Sequence, residues 1–224
     1  MYVTWIGQAG LLIETKDCKI MVDPYLSDSV AKINPKNYRR IPVNEKLFNE
    51  NPDVILITHE HLDHLDPETL PRLFDKAKNI TVLAPRNAWE KVRQYEKEHN
   101  YIMFNRETVW THKDVVFTAV KAEHSDGSAI GCVIDDGSKK LYITGDTLYN
   151  KEIFSYLPQD IYAVFLPING VGNNMNATDA KKFAEKTKAK FAVPVHWGMF
   201  DNINPEDFDA ENAIIPKLYE KIKL

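Results

Sequence analysis

Short apolar runs bounded by turn formers open the chain. Residues 2–6, 11–15 and 19–22 each fit a strand, and together they predict a β-meander. The pattern then breaks, because residues 24–52 carry four prolines (Pro24, Pro35, Pro42 and Pro52) with little periodicity. A segment of that length without regular structure predicts a folded-back loop able to cover a site. Residues 53–58 enclose the continuous run Val54-Ile55-Leu56-Ile57, expected of a strand buried on both faces. Asp66-Pro67-Glu68 follows as a helix start, a capping residue before proline at the first helical position. Leu70, Leu73, Phe74 and Ala77 recur at helical spacing behind it.

Further on, the pattern predicts a strand at 80–84, a helix over 87–98 and strands at 108–111, 115–120, 129–134 and 140–144, with Asp135-Asp136-Gly137 as a turn. Two more buried-strand runs, 161–166 and 190–195, flank a helix over 178–187. Asn204-Pro205-Glu206-Asp207 starts a last helix that runs to the C-terminus with an interruption at Pro216. Each half reads strands first and strand-helix alternation second, which predicts an α/β fold of two similar sheet-plus-helix layers. At roughly 150 residues per domain, 224 residues without a composition shift favour a single domain over 1–224.

Composition narrows the partners more than the fold. Hydrophobic residues make up 44% and charged residues 27%, which supplies a core and argues against a disordered chain. Lys and Arg number 28 against 32 Asp and Glu, a net charge of −4, so no general positive field exists to hold nucleic acid. Cys18 and Cys132 lie far apart in apolar strand contexts and predict buried thiols in a reducing compartment, hence a cytoplasmic protein. The opening residues lack the basic and apolar regions of a signal peptide, and no run nears the roughly 18 apolar residues that span a bilayer. The expected partner is a small-molecule substrate, and a homo-oligomer is compatible with the composition.

Chemistry concentrates in one window. Three of the seven histidines fall in Thr58-His59-Glu60-His61-Leu62-Asp63-His64, a spacing that about one chain in 150 of this composition would show by chance. An extended His-x-His after a buried strand puts two imidazoles on one side of the chain, and the next turn brings Asp63 and His64 round as a second ligand pair. Three more candidates follow predicted strands: His124, Asp146 in Gly145-Asp146-Thr147, and His196. Ligand-binding groups gather beyond the carboxyl ends of strands in α/β sheets, so these residues are candidates for one cluster.

In that order, Thr58 to His64, His124, Gly145-Asp146 and His196 resemble the metallo-β-lactamase superfamily, and Val22-Asp23-Pro24 resembles the aspartate motif that precedes its histidine cluster. Thr4-Trp5-Ile6-Gly7-Gln8-Ala9-Gly10, Asp23-Pro24-Tyr25-Leu26-Ser27 and Pro194-Val195-His196-Trp197 resemble more narrowly the branch related to L-ascorbate-6-phosphate lactonase. They are similar also to metal-dependent hydrolases of that branch and to N-acyl-phosphatidylethanolamine phospholipase D. The resemblance implies a metallo-β-lactamase-like four-layer αβ/βα sandwich, with two mixed β-sheets packed face to face and helices outside. It implies His59, His61 and His124 on one metal, Asp63, His64 and His196 on the other, and Asp146 bridging both. Asp23 would steady a ligand imidazole through its free N–H.

The activity this implies is hydrolysis by a hydroxide held between two divalent ions, Zn2+ or alternatively Mn2+, with Asp63 and Asp146 as catalytic carboxylates. Carboxylic esters, above all lactones of small polar or phosphorylated metabolites, are the expected substrates, and a small or lipid-derived phosphodiester is the alternative. A non-catalytic metal-binding module is the reading from another class; seven His and Asp candidates without a clustered thiolate argue against it. Arg39-Arg40, in the proline-bounded loop, either holds an anionic substrate group or is an exposed charge pair. Asn169-Gly170 and Asn173-Asn174 either line the pocket or make turns. Trp197 is a substrate wall or a packing residue, Trp5 and Trp110 are packing residues, and Asp66 reads as a helix cap.

Overall fold

In the computed structural model, which describes residues 1–95 and 97–224, the apolar runs sort into two mixed sheets. The first is built from β1 (Tyr2–Gly7), β2 (Gly10–Glu14), β3 (Lys19–Val22), β4 (Val54–Leu56), β5 (Thr81–Ala84) and β6 (Asn100–Met103). The second is built from β7 (Val109–His112), β8 (Val115–Lys121), β9 (Ile130–Asp135), β10 (Lys140–Ile143), β11 (Ile161–Pro167) and β12 (Phe191–Val195). A last strand, β13 (Lys221–Lys223), returns to the first sheet, giving the orders β13-β1-β2-β3-β4-β5-β6 and β12-β11-β10-β9-β8-β7. The meander strands pair antiparallel, whereas β3 to β6 and β10 to β12 pair parallel.

Strand alternation then builds the layers. Val22, Val54 and Leu56 face inward and meet Phe117, Cys132, Phe165 and Val193 of the opposite sheet in a shared core. Their neighbours Met21 and Ile55 face outward onto α2 (Thr69–Lys76) and α3 (Arg86–Val92), the helices that follow the short α1 (Ser29–Ile33), through Leu70, Leu73, Phe74 and Ala88. On the far side Tyr142, Val164 and Leu166 pack under Phe183 and Ala184 of the helix at Ala177–Thr187. Central strands buried on both faces therefore read as continuous apolar runs, each full side chain contributing about 1.5–3 kcal/mol. The result is the expected four-layer αβ/βα sandwich, two mixed sheets packed face to face with helices outside. Among the described residues no helix is long and apolar enough to cross a membrane.

Local expectations fail in three places. The predicted C-terminal helix is a 3-10 turn at Pro205–Asp207, capped by the Asn204 side chain, followed by irregular chain and β13. The open edge of β1 offers backbone partners that a surface helix could not use, and β13 takes them with Val3 opposite Ile222. Ile214, Leu218 and Ile222 pack on the shared core at the same time. The helix expected over 87–98 is shorter, Arg86–Val92 with a 3-10 turn at Arg93–Tyr95, and residue 96 lies outside the described residues. The unexpected β6 then pairs parallel to β5. The proline-rich loop carries a short helix at Ser29–Ile33 and a 3-10 turn at Glu45–Asn49 that buries Leu47 and Phe48. It does fold back, Arg40 N donating to Met199 O at 3.1 Å.

Candidate metal centre

The site begins where two parallel strands end side by side. Asp23 follows β3, its amide donating to Leu56 O of β4. Its carboxylate accepts from Thr58 N at 2.8 Å and from the Thr58 hydroxyl at 2.6 Å. That clamp fixes the chain as it leaves β4 and turns through His59 to His64, where the amides of His64 and Leu65 both donate to His61 O. The remaining donors arrive from the second sheet at the same rim: His124 after β8, Asp146 after β10 and His196 directly after β12. Gly145 makes this approach possible. Its φ is +61°, and an added Cβ would stand 2.7 Å from Ile130 O and 3.0 Å from Thr58 Cβ, so no larger residue lets Asp146 come so close to the histidine turn.

The donor atoms form three overlapping groups: His59, His61 and His124; His59, His64 and Asp146; and Asp63, His64 and His196. His61 Nδ1 lies 3.1 Å from His59 Nε2 and 3.2 Å from His124 Nε2. His196 Nε2 lies 3.3 Å from an oxygen of Asp63 and 3.3 Å from one of Asp146, and 3.4 Å from His64 Nε2. His64 Nε2 is also 3.3 Å from Asp146 Oδ1, while His59 Nε2 is 3.9 Å from Asp146 Oδ2. Donors about 2.0–2.1 Å from a tetrahedral ion lie roughly 3.3 Å from one another, so these spacings fit divalent cations. Asp146 Oδ1 is buried with no hydrogen-bond partner, and a cation held by this donor set would satisfy it.

Neighbours hold the donors in orientation. His64 Nδ1 donates to Asp23 Oδ2 at 2.8 Å, which turns Nε2 toward the centre. Asn174 Nδ2 donates to Asp146 Oδ2 at 2.8 Å, while Asn174 Oδ1 accepts from Thr147 N. Asp126 ties the His124 loop to the histidine turn by accepting from Glu60 N at 3.1 Å and Asn87 Nδ2 at 2.9 Å.

Electrostatics within the protein alone are strained by the carboxylates. Burial disfavours charge on His196, yet Asp146 and Asp63 outweigh it and push its pKa up to about 10. His64 is raised in the same way against burial by Asp146, Asp23 and Asp63. Burial raises Asp63 and Asp146, but the facing His64 and His196 hold both below the usual carboxylate range. His59 moves downward through burial and the adjoining His64. The carboxylates thus favour positive charge on His64 and His196, the same charge that a cation held by this donor set would supply.

Gln8 escaped the sequence reading as a site residue. It is buried in the β1–β2 turn at φ +53°, and its side-chain amide donates to Asp63 Oδ2 at 2.7 Å. Its carbonyl accepts from His196 N at 2.9 Å. Spacing carries no signal for such a residue; only the strand order shows that this turn closes the rim. Of the other candidates, Arg39 stands outside the donor groups, donating to the carbonyls of Tyr25 at 2.6 Å and Ile41 at 2.9 Å. Arg40 donates to Asn202 Oδ1 at 2.9 Å. Trp197 stacks on Trp5 with centroids 4.5 Å apart and donates to Pro194 O. Asn169 forms an isolated bridge with Asn176. Asp66 accepts from Glu68 N and the Thr69 hydroxyl, and so organises the approach to α2.

Comparison with known proteins gives a consistent set of likenesses. The Beta-lactamase superfamily domain matches residues 19–197. A UPF0173 metal-dependent hydrolase of Thermoplasma volcanium is 28% identical over 239 residues, covering 99% of this chain and 98% of its own. One of Bacillus subtilis is 29% identical over 236 residues, covering 93% and 91%. The solved structure of Igni18, a metallo hydrolase of Ignicoccus hospitalis, matches with a TM-score of 0.79 at 18% identity, covering 99% of this chain and 97% of that one, a likeness of fold.

Proposed function

The chain belongs to the Beta-lactamase superfamily domain family, and on that premise we propose that it is a metal-dependent hydrolase with two divalent ions. His59, His61 and His124 would hold one ion, Asp63, His64 and His196 the other, and Asp146 would serve both. The observation that carries this reading is the position of Asp146, whose oxygens face His59, His64 and His196 at 3.3–3.9 Å with one oxygen buried and unpartnered. Zn2+ suits the imidazole-rich set, and the carboxylates also suit Mn2+. Bound there, the ions would supply Lewis acidity, polarising a carbonyl or phosphoryl oxygen and making water nucleophilic near neutral pH.

The chain's own groups do the rest. His61 is the exposed member of the set, His124 and Asp63 are half-buried with Asp63 at 18% side-chain exposure, and His59 and His64 are fully buried, so Asp63 is more open than the buried Asp146. Asp63 is therefore the carboxylate able to exchange a proton with solvent during turnover. Gln8 donates to one oxygen of Asp63 and so fixes the orientation of the carboxylate. Asp23 and Asn174 keep His64 and Asp146 aimed inward.

A carboxylic ester, in particular a lactone of a small polar or phosphorylated metabolite, is the preferred substrate, following the resemblance to the lactonase branch; a phosphodiester is second. Hydrolysis of a lactone panel and of bis-nitrophenyl phosphate by the same metal-loaded sample ranks them, and faster phosphodiester turnover reverses the order. His61→Ala should remove metal and activity together. Full activity in metal-stripped protein would defeat the proposal.

A further inference from the structure

A cleft of about 470 Å3 opens beside His124, within the size range of small-molecule sites. Arg86 at the start of α3, Arg106 ahead of β7 and Lys121 at the end of β8 bring three cations to its wall, in a chain whose net charge is −4. The carboxylates beside them are already engaged. Asp126 accepts from Glu60 N, Asn87 Nδ2, Ser128 N and the Ser128 hydroxyl. Glu123 accepts from Asn150 Nδ2 at 2.6 Å. Lys121 is paired with Glu152 at 2.6 Å, which leaves the two arginines.

Arg86 lies 3.5 Å from Glu90 and Arg106 lies 3.3 Å from Glu107, exposed pairs of the kind that hold weakly in water. Arg106 is also oriented by Tyr156, over whose ring it lies at 4.2 Å and to whose hydroxyl it donates. Arg39, by contrast, has its guanidinium taken up by backbone carbonyls away from this wall.

We propose that this cleft receives the part of the substrate beyond the scissile bond, and that Arg86 and Arg106 recognise an anionic oxyacid group on it, phosphate monoester or carboxylate. The inference deepens the hydrolase reading and rests on it for the word substrate, whereas anion binding by the cleft stands on its own. A guanidinium fork matches the paired oxygens of either anion, and His124 connects the cleft to the donor cluster. Metabolites carrying a charged group at one end and a hydrolysable bond at the other are the class that fits.

The test is a titration of metal-stripped, folded protein with glycerol 3-phosphate and, separately, with succinate, followed by amide NMR, so that no ion competes for the anion. The expected result is saturable shifts at Gly127, Ser128 and Ala129 in wild type, with affinity falling roughly tenfold for Arg106→Ala and further for the Arg86→Ala/Arg106→Ala pair. Gly127 has no atom within 4 Å of an added Cβ, so Gly127→Leu fills the cleft without a clash at that atom and should also weaken binding. Phosphate alone, carboxylate alone or both saturating would each identify the group. Shifts confined to the Gln8 and His196 side, or equal affinity in all variants, overturn the proposal. Hydrolysis and metal content are scored separately, so a binding cleft in a protein without hydrolase activity would overturn the proposed function and leave the anion site standing.

Discussion

Asp146 and the residue before it carry the tightest constraints at the residue scale. Gly145→Ala forces a Cβ against Ile130 O at 2.7 Å in a left-handed conformation, so the turn must open and withdraw Asp146 from His59 and His64. Metal affinity measured by chelator competition should fall by well over tenfold while the fold persists, and unchanged affinity would contradict the geometry. Asp23→Asn removes the charged partner of His64 Nδ1 and half of the Thr58 clamp, a change that typically weakens metal sites by about 10–100-fold. Protonation supplies a third prediction. A histidine raised from 6.5 to about 10, as His196 is, stabilises the metal-free protein fully below its unfolded value and loses that contribution as pH rises through about 10. Asp63 and Asp146, held low, contribute above their ordinary 3.8 and lose the contribution as pH falls. The metal-free protein therefore gains most from these groups between roughly pH 4 and 6.5. Cation uptake at pH 7 must expel protons, so affinity rises with pH. Calorimetry in two buffers of different ionisation enthalpy should show proton release; zero release would contradict the charge state assigned to His64 and His196.

At the scale of elements, legibility followed burial. Runs such as Val54 to Ile57, and 161–166 in β11, announced central strands because both faces are apolar, and the strand-end histidines could be placed from them. The helix over 178–187 was likewise readable, and the observed Ala177–Thr187 helix is capped by Asn176 accepting from Asp179 N. The C-terminal helix misled because Asn204-Pro205-Glu206 is a sound helix start, while the competing attraction, an open strand edge at the other end of the chain, is invisible to local pattern. β13 is the element to challenge. Removing residues 221–224 strips backbone pairing from β1 and the buried Leu224 side chain, and should lower stability by about 2–4 kcal/mol in denaturant unfolding. A loss below about 0.5 kcal/mol would mean the edge pairing contributes little.

The whole molecule joins two sheets whose strand ends meet on one rim. Asp23, His59 to His64 come from the first sheet and His124, Asp146 and His196 from the second, so the site exists only when the sandwich is closed. Their order along the chain is legible because ligand chemistry restricts residue types, whereas Gln8 and Asp126 are not, since an amide and a lone carboxylate in turns carry no spacing signature; Asn174, which reads as pocket lining or turn, donates to Asp146. Arg39, whose place in a loop reads either as anion binding or as an exposed charge pair, donates to the carbonyls of Tyr25 and Ile41. Metal stoichiometry by elemental mass spectrometry, on protein purified without added metal and then equilibrated with Zn2+ or Mn2+, tests the centre most directly. About two ions per wild-type chain and fewer than one in Asp146→Ala are predicted; a folded wild-type chain that retains none, or equal content in the two proteins, would contradict it.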